Sequence, residues 1–175
     1  MLERLSRVFE RLLASIVGLL LVTLTVIVVV AVVYRRAGHS LVWYDEVASV
    51  LLAWLTYYGA ALAALKRAHI GFTGLVDSFP ARLRLAAVLF AEICVIGFFA
   101  LLAWTGWQVL QVLQGIHLVS LPWVPVQLTQ SVIPIGAGLF ILAQLLSLPE
   151  VLRRAREGAP SPGEVTAVVE ERAAP

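Results

Sequence analysis

The sequence predicts an all-α integral membrane protein: four transmembrane helices, both termini cytoplasmic, and a short amphipathic helix ahead of the first span. Hydrophobic residues make up 61% of the 175-residue chain, against about 45–50% in soluble domains, and the mean hydropathy is +0.93. The excess is gathered into four long blocks, each able to cross a hydrocarbon core of about 30 Å at roughly 1.5 Å per helical residue. The basic residues beside those blocks are unevenly divided. Arg4, Arg7, Arg11, Lys66, Arg67, Arg82, Arg84, Arg153, Arg154 and Arg156 fall on one side, and only Arg35 and Arg36 on the other. Loops rich in Lys and Arg stay in the cytoplasm. The second loop is therefore cytoplasmic, and loops one and three face outward.

Residues 1–11 alternate charged and apolar side chains. Leu2, Leu5, Val8, Phe9 and Leu12 share one helical face, with Glu3, Arg4, Arg7, Glu10 and Arg11 around the other, the pattern of a helix lying in the interface. The apolar run 12–33 follows. It is longer than a signal-peptide core and ends in Tyr34-Arg35-Arg36 without a small-x-small cleavage site, so it reads as an uncleaved first span.

The second span, 45–65, is the element around which the others are expected to pack. Asp45 and Glu46 open it, Lys66 and Arg67 follow it, and both placements complement the helix dipole. Ser49, Ala53, Thr56, Ala60 and Ala63 form a row of small residues stepping by four and three. Such a row lets another backbone approach closely, and close packing drives helix association in lipid. The third span covers 85–113 and is interrupted by Glu92; the fourth covers 126–148, with Pro134 inside it. One membrane domain thus occupies residues 12–157. Residues 158–175, rich in Ala, Pro, Gly, Val and Glu, form a tail expected to be disordered.

Composition excludes several chemistries. The single cysteine, Cys94, permits no internal disulfide and no cysteine-based metal site. No hydroxyl nucleophile has a histidine and carboxylate placed to activate it, and no phosphate-binding or metalloprotease motif occurs. No enzyme, cofactor or metal is expected. The pI near 9.0 comes from arginines beside the membrane, which suits anionic lipid headgroups rather than nucleic acid.

A few residues remain as candidates for function. Asp45 and Glu46 point about 100° apart on a helix, poor geometry for one shared ligand. Capping or partner docking suits them better, with Trp43 and Tyr44 as interfacial anchors. Glu92 lies about eight residues past Arg84, roughly 12 Å along the axis. An ionised acid at that depth costs at least ~2.5 kcal/mol unless it faces protein or water. A proton relay requires a chain of such groups, and the first and fourth blocks have none in their cores, so a structural contact is expected. His69 lacks further ligands at metal spacing, and His117 stands in an outer loop without acid or base. Gln108, Gln111 and Gln114 on the third helix, and Gln127, Gln130 and Ser131 on the fourth, lie at the outer ends, where they are expected to meet.

Several of these stretches resemble one family. Trp43-Tyr44-Asp45-Glu46, Tyr58-Gly59-Ala60-Ala61, His69-Ile70, Asp77 and Pro80 look like the small membrane (Q-type) subunit of tripartite ATP-independent periplasmic (TRAP) transporters. Leu121-Pro122 and Ile133-Pro134-Ile135-Gly136 look like that family's pattern at the fourth helix. The resemblance covers about residues 10–150. Asp45 departs from the two consecutive glutamates usual there, and Thr73 stands where an acid is usual. The resemblance implies a bacterial inner-membrane protein with two partners, a large membrane subunit and a periplasmic substrate-binding protein. The large subunit moves an organic acid with sodium ions, and the small one packs beside it and supports it. Trp43, Asp45, Glu46, Tyr57 and His69 are the residues expected at that interface. The alternative is an autonomous homodimeric transporter using Glu92 as its coupling acid, which a 1:1 complex with a much larger membrane protein would exclude.

The charge asymmetry makes a direct prediction. Cysteines placed at Ser40 and Ser120 will react with impermeant thiol reagents from outside, and one at Ser78 will not. Labelling of the Ser78 position in intact spheroplasts would reverse the orientation.

Overall fold

The computed structural model describes residues 2–66 and 80–157. His69, Thr73, Asp77 and the expected tail at 158–175 lie outside the described residues. Helix α1 runs Leu2–Arg36, α2 Tyr44–Leu65, α3 Ala81–Val112, α4 Val126–Gln130 and α5 Val132–Glu157. Among the described residues four segments are long and apolar enough to cross a membrane: Ser6–Arg36, Tyr44–Leu65, Leu83–Val112 and Val126–Arg153, the last comprising α4 and most of α5.

The helix ends follow from local chemistry. α1 is continuous from Leu2, so segment 1–11 and span 12–33 form one helix; no glycine or proline separates them. At its other end Gly38 adopts φ 82°, a region that glycine enters without strain. His39 N–H donates to Tyr34 O at 3.0 Å and Gly38 N–H to Arg35 O at 3.2 Å, the paired bonds of a glycine-terminated helix. α3 begins directly after Pro80, whose carbonyl accepts the Arg84 N–H at 3.0 Å.

The expected fourth helix is divided. α4 stops at Gln130, Ser131 intervenes, and Pro134 lies in the first turn of α5. Proline lacks the N–H that would bond the carbonyl four residues back, and its ring clashes with that carbonyl; here the carbonyl belongs to Gln130. The helix restarts where the missing donor does no harm. Beyond the expected end at 148, α5 continues through Pro149 to Glu157.

In space the order is α1, α2, α5, α3: α5 packs against both α2 and α3, and α1 lies along α2. The buried core gathers Leu13, Ala61, Ala64, Phe140 and Ala143, with Phe9, Val95 and Phe99 packed around it. It lies toward the end of the bundle that carries Arg11, Lys66 and Arg153. The Phe99 and Phe140 rings stack with centroids 3.7 Å apart, and Lys66 Nζ reaches Glu10 Oε1 at 3.1 Å. That pair is exposed and contributes about 0–1 kcal/mol. It ties α1 to the end of α2.

Two glycines admit the central helix. A Cβ on Gly136 would lie 2.7 Å from the Tyr57 Cβ, and one on Gly106 would lie 2.8 Å from the Ile133 Cγ2 and 3.1 Å from the Pro134 Cδ. Gly138, two residues beyond Gly136, has open space. Gly136→Ala will therefore lower the thermal stability of the detergent-purified chain, by about 1–3 kcal/mol as for other overpacked sites. Gly138→Ala will leave it near wild type. Equal melting temperatures for the two variants would refute the close α2–α5 approach.

Candidate functional site

The polar side chains that join the helices fall at two levels. One is deep. Glu92 on α3 is 7% exposed, and Gln144 Nε2 donates to Glu92 Oε2 at 2.6 Å. Gln144 is equally buried, on α5. A hydrogen-bonded partner makes a buried acid tolerable in an apolar setting. Glu92 thus links α3 to the central helix. Sequence reasoning singled out the acid and missed the amide.

The other level is the end of the bundle away from Lys66 and Arg153, the end expected from the charge asymmetry to face outward. Trp54 Nε1 donates to Thr129 O at 3.0 Å, using a carbonyl next to the α4–α5 break. Gln127 Nε2 donates to Leu110 O at 2.8 Å, and so satisfies one of the last carbonyls of α3, which have no helical donor. The two groups of glutamines do not meet as expected. Gln108, Gln111 and Gln114 are exposed and Gln130 is half-buried, while Gln127 finds backbone instead of a side chain. Thr129 is buried, and its hydroxyl donates to Val126 O of its own helix.

Glu46 organises the outer loops. Its two carboxylate oxygens accept the backbone N–H groups of Val119 at 3.1 Å and Ser120 at 2.8 Å. Ser120 Oγ also reaches Val42 O at 3.5 Å. An ionised acceptor strengthens such bonds. The third loop is therefore clasped onto the first turn of α2. Within that loop Leu118 N–H bonds Val124 O, Val124 N–H bonds Leu121 O, and Val126 N–H bonds Ile116 O, while His117 and Pro125 form an antiparallel bridge. The loop is a small hairpin. His117 is part of that pairing and is exposed.

The residues expected at a partner interface separate into two kinds. Glu46 is engaged by the chain's own third loop, and Tyr57 packs on Gly136 of α5. Trp43 and Asp45 are exposed at the start of α2; Trp43 precedes the helix without capping it through its side chain. Beside them Arg35 lies 5.4 Å over the Tyr44 ring and bonds its hydroxyl, which joins the two ends of the first outer loop. The small-residue row is also divided. Ser49, Ala53 and Thr56 are exposed and Ala60 and Ala63 half-buried, whereas Ala61 and Ala64 carry the internal packing of α2. Among the described residues no three His, Cys, Asp or Glu side chains converge.

Four helices able to span a membrane, joined by internal polar contacts, make up the bundle among the described residues. No curated protein matches the chain closely enough to add a named relative. The family described as "Tripartite ATP-independent periplasmic transporters, DctQ component" matches residues 24–154, from within α1 to near the end of α5. The chain is therefore a transporter component of the inner membrane and not an enzyme. It belongs to the DctQ component family of tripartite ATP-independent periplasmic transporters, as the small permease component.

Proposed function

We propose that this chain is a non-translocating support, packed beside a large membrane component that takes up an organic acid with sodium ions after its delivery by a periplasmic binding protein. The observation that supports this reading is the outward half of the small-residue row on α2. Ser49, Ala53 and Thr56 are exposed, and both hydroxyls bond their own helix, Ser49 Oγ to Asp45 O at 2.7 Å and Thr56 Oγ1 to Leu52 O at 2.8 Å. The face is smooth and its polar atoms are satisfied. Lipid tails fill such a surface less well than a closely approaching helix does. Asp45 and Trp43 at its outer end supply polar and aromatic contacts.

Transport by this chain alone has little to rest on. Secondary transporters build midplane sites from paired broken helices. Among the described residues the one break within a span, at Ser131, lies near the outer end. Glu92, the acid that an autonomous transporter would use, is held by Gln144.

Two experiments follow from these assignments. Ala53→Leu and Asp45→Ala will each reduce recovery of the large component with this chain, and uptake with it, by about tenfold or more, the effect of roughly 1.4 kcal/mol of lost binding. Membrane abundance and the melting temperature of the purified chain will not change. Wild-type recovery and uptake in both variants would remove the α2 face from the interface. Organic-acid uptake by the purified chain alone in sodium-loaded liposomes would end the supporting-component reading.

Glu92→Gln will retain assembly and near-normal uptake, because the new amide oxygen still accepts from Gln144. Glu92→Ala leaves that amide buried without this acceptor and will destabilise the chain by about 1–3 kcal/mol. A well-assembled Glu92→Gln complex without uptake would make Glu92 a coupling acid.

A further inference from the structure

The hairpin between α3 and α4 combines an uncharged sequence with exposed apolar side chains. From Gln114 to Pro125 it contains no Asp, Glu, Lys or Arg. Its most exposed side chains are apolar: Val119 is 91% exposed and Trp123 76%. Pro122 and Trp123 occupy the middle of the Leu121–Val124 turn, which the Val124 N–H to Leu121 O bond closes at 2.9 Å, and proline favours the second position of such turns. Much of the backbone is already paired. Leu118, Val124 and Val126 donate within the hairpin, and Val119 and Ser120 donate to Glu46. Paired backbone is what entry into a lipid environment demands.

The height of the hairpin is fixed by the same clasp. Nineteen uncharged residues, Val47 to Leu65, separate Glu46 from Lys66, and a run of that length is consumed in crossing a core of about 30 Å. Glu46 therefore marks the outer boundary of the hydrocarbon, and Val119 and Ser120 lie against it. α3 supplies an independent marker of the same boundary. It has 32 residues, about 48 Å of helix, so with Arg84 at the inner boundary its last turns rise through the outer one. Trp104 and Trp107, both exposed, lie three residues apart on one face in that part of the helix. Tryptophan collects at such interfaces.

We propose that the hairpin is an interfacial insertion, in which Val119 and Trp123 enter the headgroup and upper acyl region of the outer leaflet and extend the lipid-facing surface begun by Trp104 and Trp107. A soluble protein docking from the periplasm is a poorer occupant. Charge complementarity steers and orients that kind of encounter, and this hairpin offers no charge. An apolar tip on a partly paired backbone, held at the boundary, suits lipid.

Depth-dependent quenching tests the assignment. Val119→Cys and Trp123→Cys, each in a Cys94→Ala background, would carry a small environment-sensitive fluorophore in the full chain, reconstituted in phosphatidylcholine–phosphatidylglycerol vesicles. Ser40→Cys in the first outer loop serves as the aqueous control. The expected result is several-fold stronger quenching by lipids with a nitroxide near the headgroup than by aqueous iodide at both hairpin positions, and the reverse at Ser40. Iodide quenching at either hairpin position equal to that at Ser40 would overturn the proposal. So would lipid quenching that disappears when the large membrane component is reconstituted alongside, because the surface would then belong to a protein contact.

Discussion

The close approach of α5 to its two neighbours is the constraint on which the other contacts depend. Gly106 lies under Ile133 and Pro134, and Gly136 lies under Tyr57, with no space for a Cβ at either place. Lipid tails are as apolar as leucine, so burial of apolar surface supplies little net drive between helices in a membrane; packing and interhelical hydrogen bonds supply it instead. Both kinds of contact require proximity. The reach of Trp54 to the Thr129 carbonyl and of Gln144 to Glu92 is possible only because the backbones have already come together. A side chain at either glycine would loosen polar contacts as well as apolar ones.

The outer end is organised by charge where the middle is organised by shape. Asp45 and Glu46 begin α2, where the dipole favours acids, yet the two have different surroundings. Glu46 receives two N–H groups from a loop more than seventy residues further along the chain, and Asp45 remains on the surface. Arg35 on α1 meets Tyr44 on the other side of the same helix start. The first turn of α2 is thus the meeting point of both outer loops. The opposite end of the helix is tied to α1 through Lys66 and Glu10.

The helices were legible in the sequence because each apolar block is long, and lipid permits such a block few structures other than a helix. Which face of α2 turns inward was not. Alanine, serine and threonine recur around much of that helix, so the row Ser49–Ala53–Thr56 and the row containing Ala61 and Ala64 look alike by spacing; Tyr57 on Gly136 decides between them. The partner of Glu46 was hidden for another reason, since a contact across such a distance in sequence leaves no local pattern. The partner of Glu92 did leave one. Glu92 is eight residues from Arg84 and Gln144 nine from Arg153, so on antiparallel helices with basic residues at one boundary the two lie at one depth. The division of the fourth helix was legible in kind, from Pro134, but its position depended on where the proline ring could be accommodated.

The spatial order α1, α2, α5, α3 has a consequence for biogenesis. Of the described helices, the central one is synthesised last. α1 and α2 can associate as soon as both have entered the bilayer, but α3 has no central neighbour until α5 arrives. During that interval Glu92 lies in the membrane without Gln144, and Gly106 and Tyr57 face lipid or the translocation machinery. Completion of the bundle is then a wedging step, in which α5 inserts between two helices already present. A polypeptide stalled before residue 132 would carry the first three spans without Phe140 and Ala143, the two residues that α5 brings to the packed core.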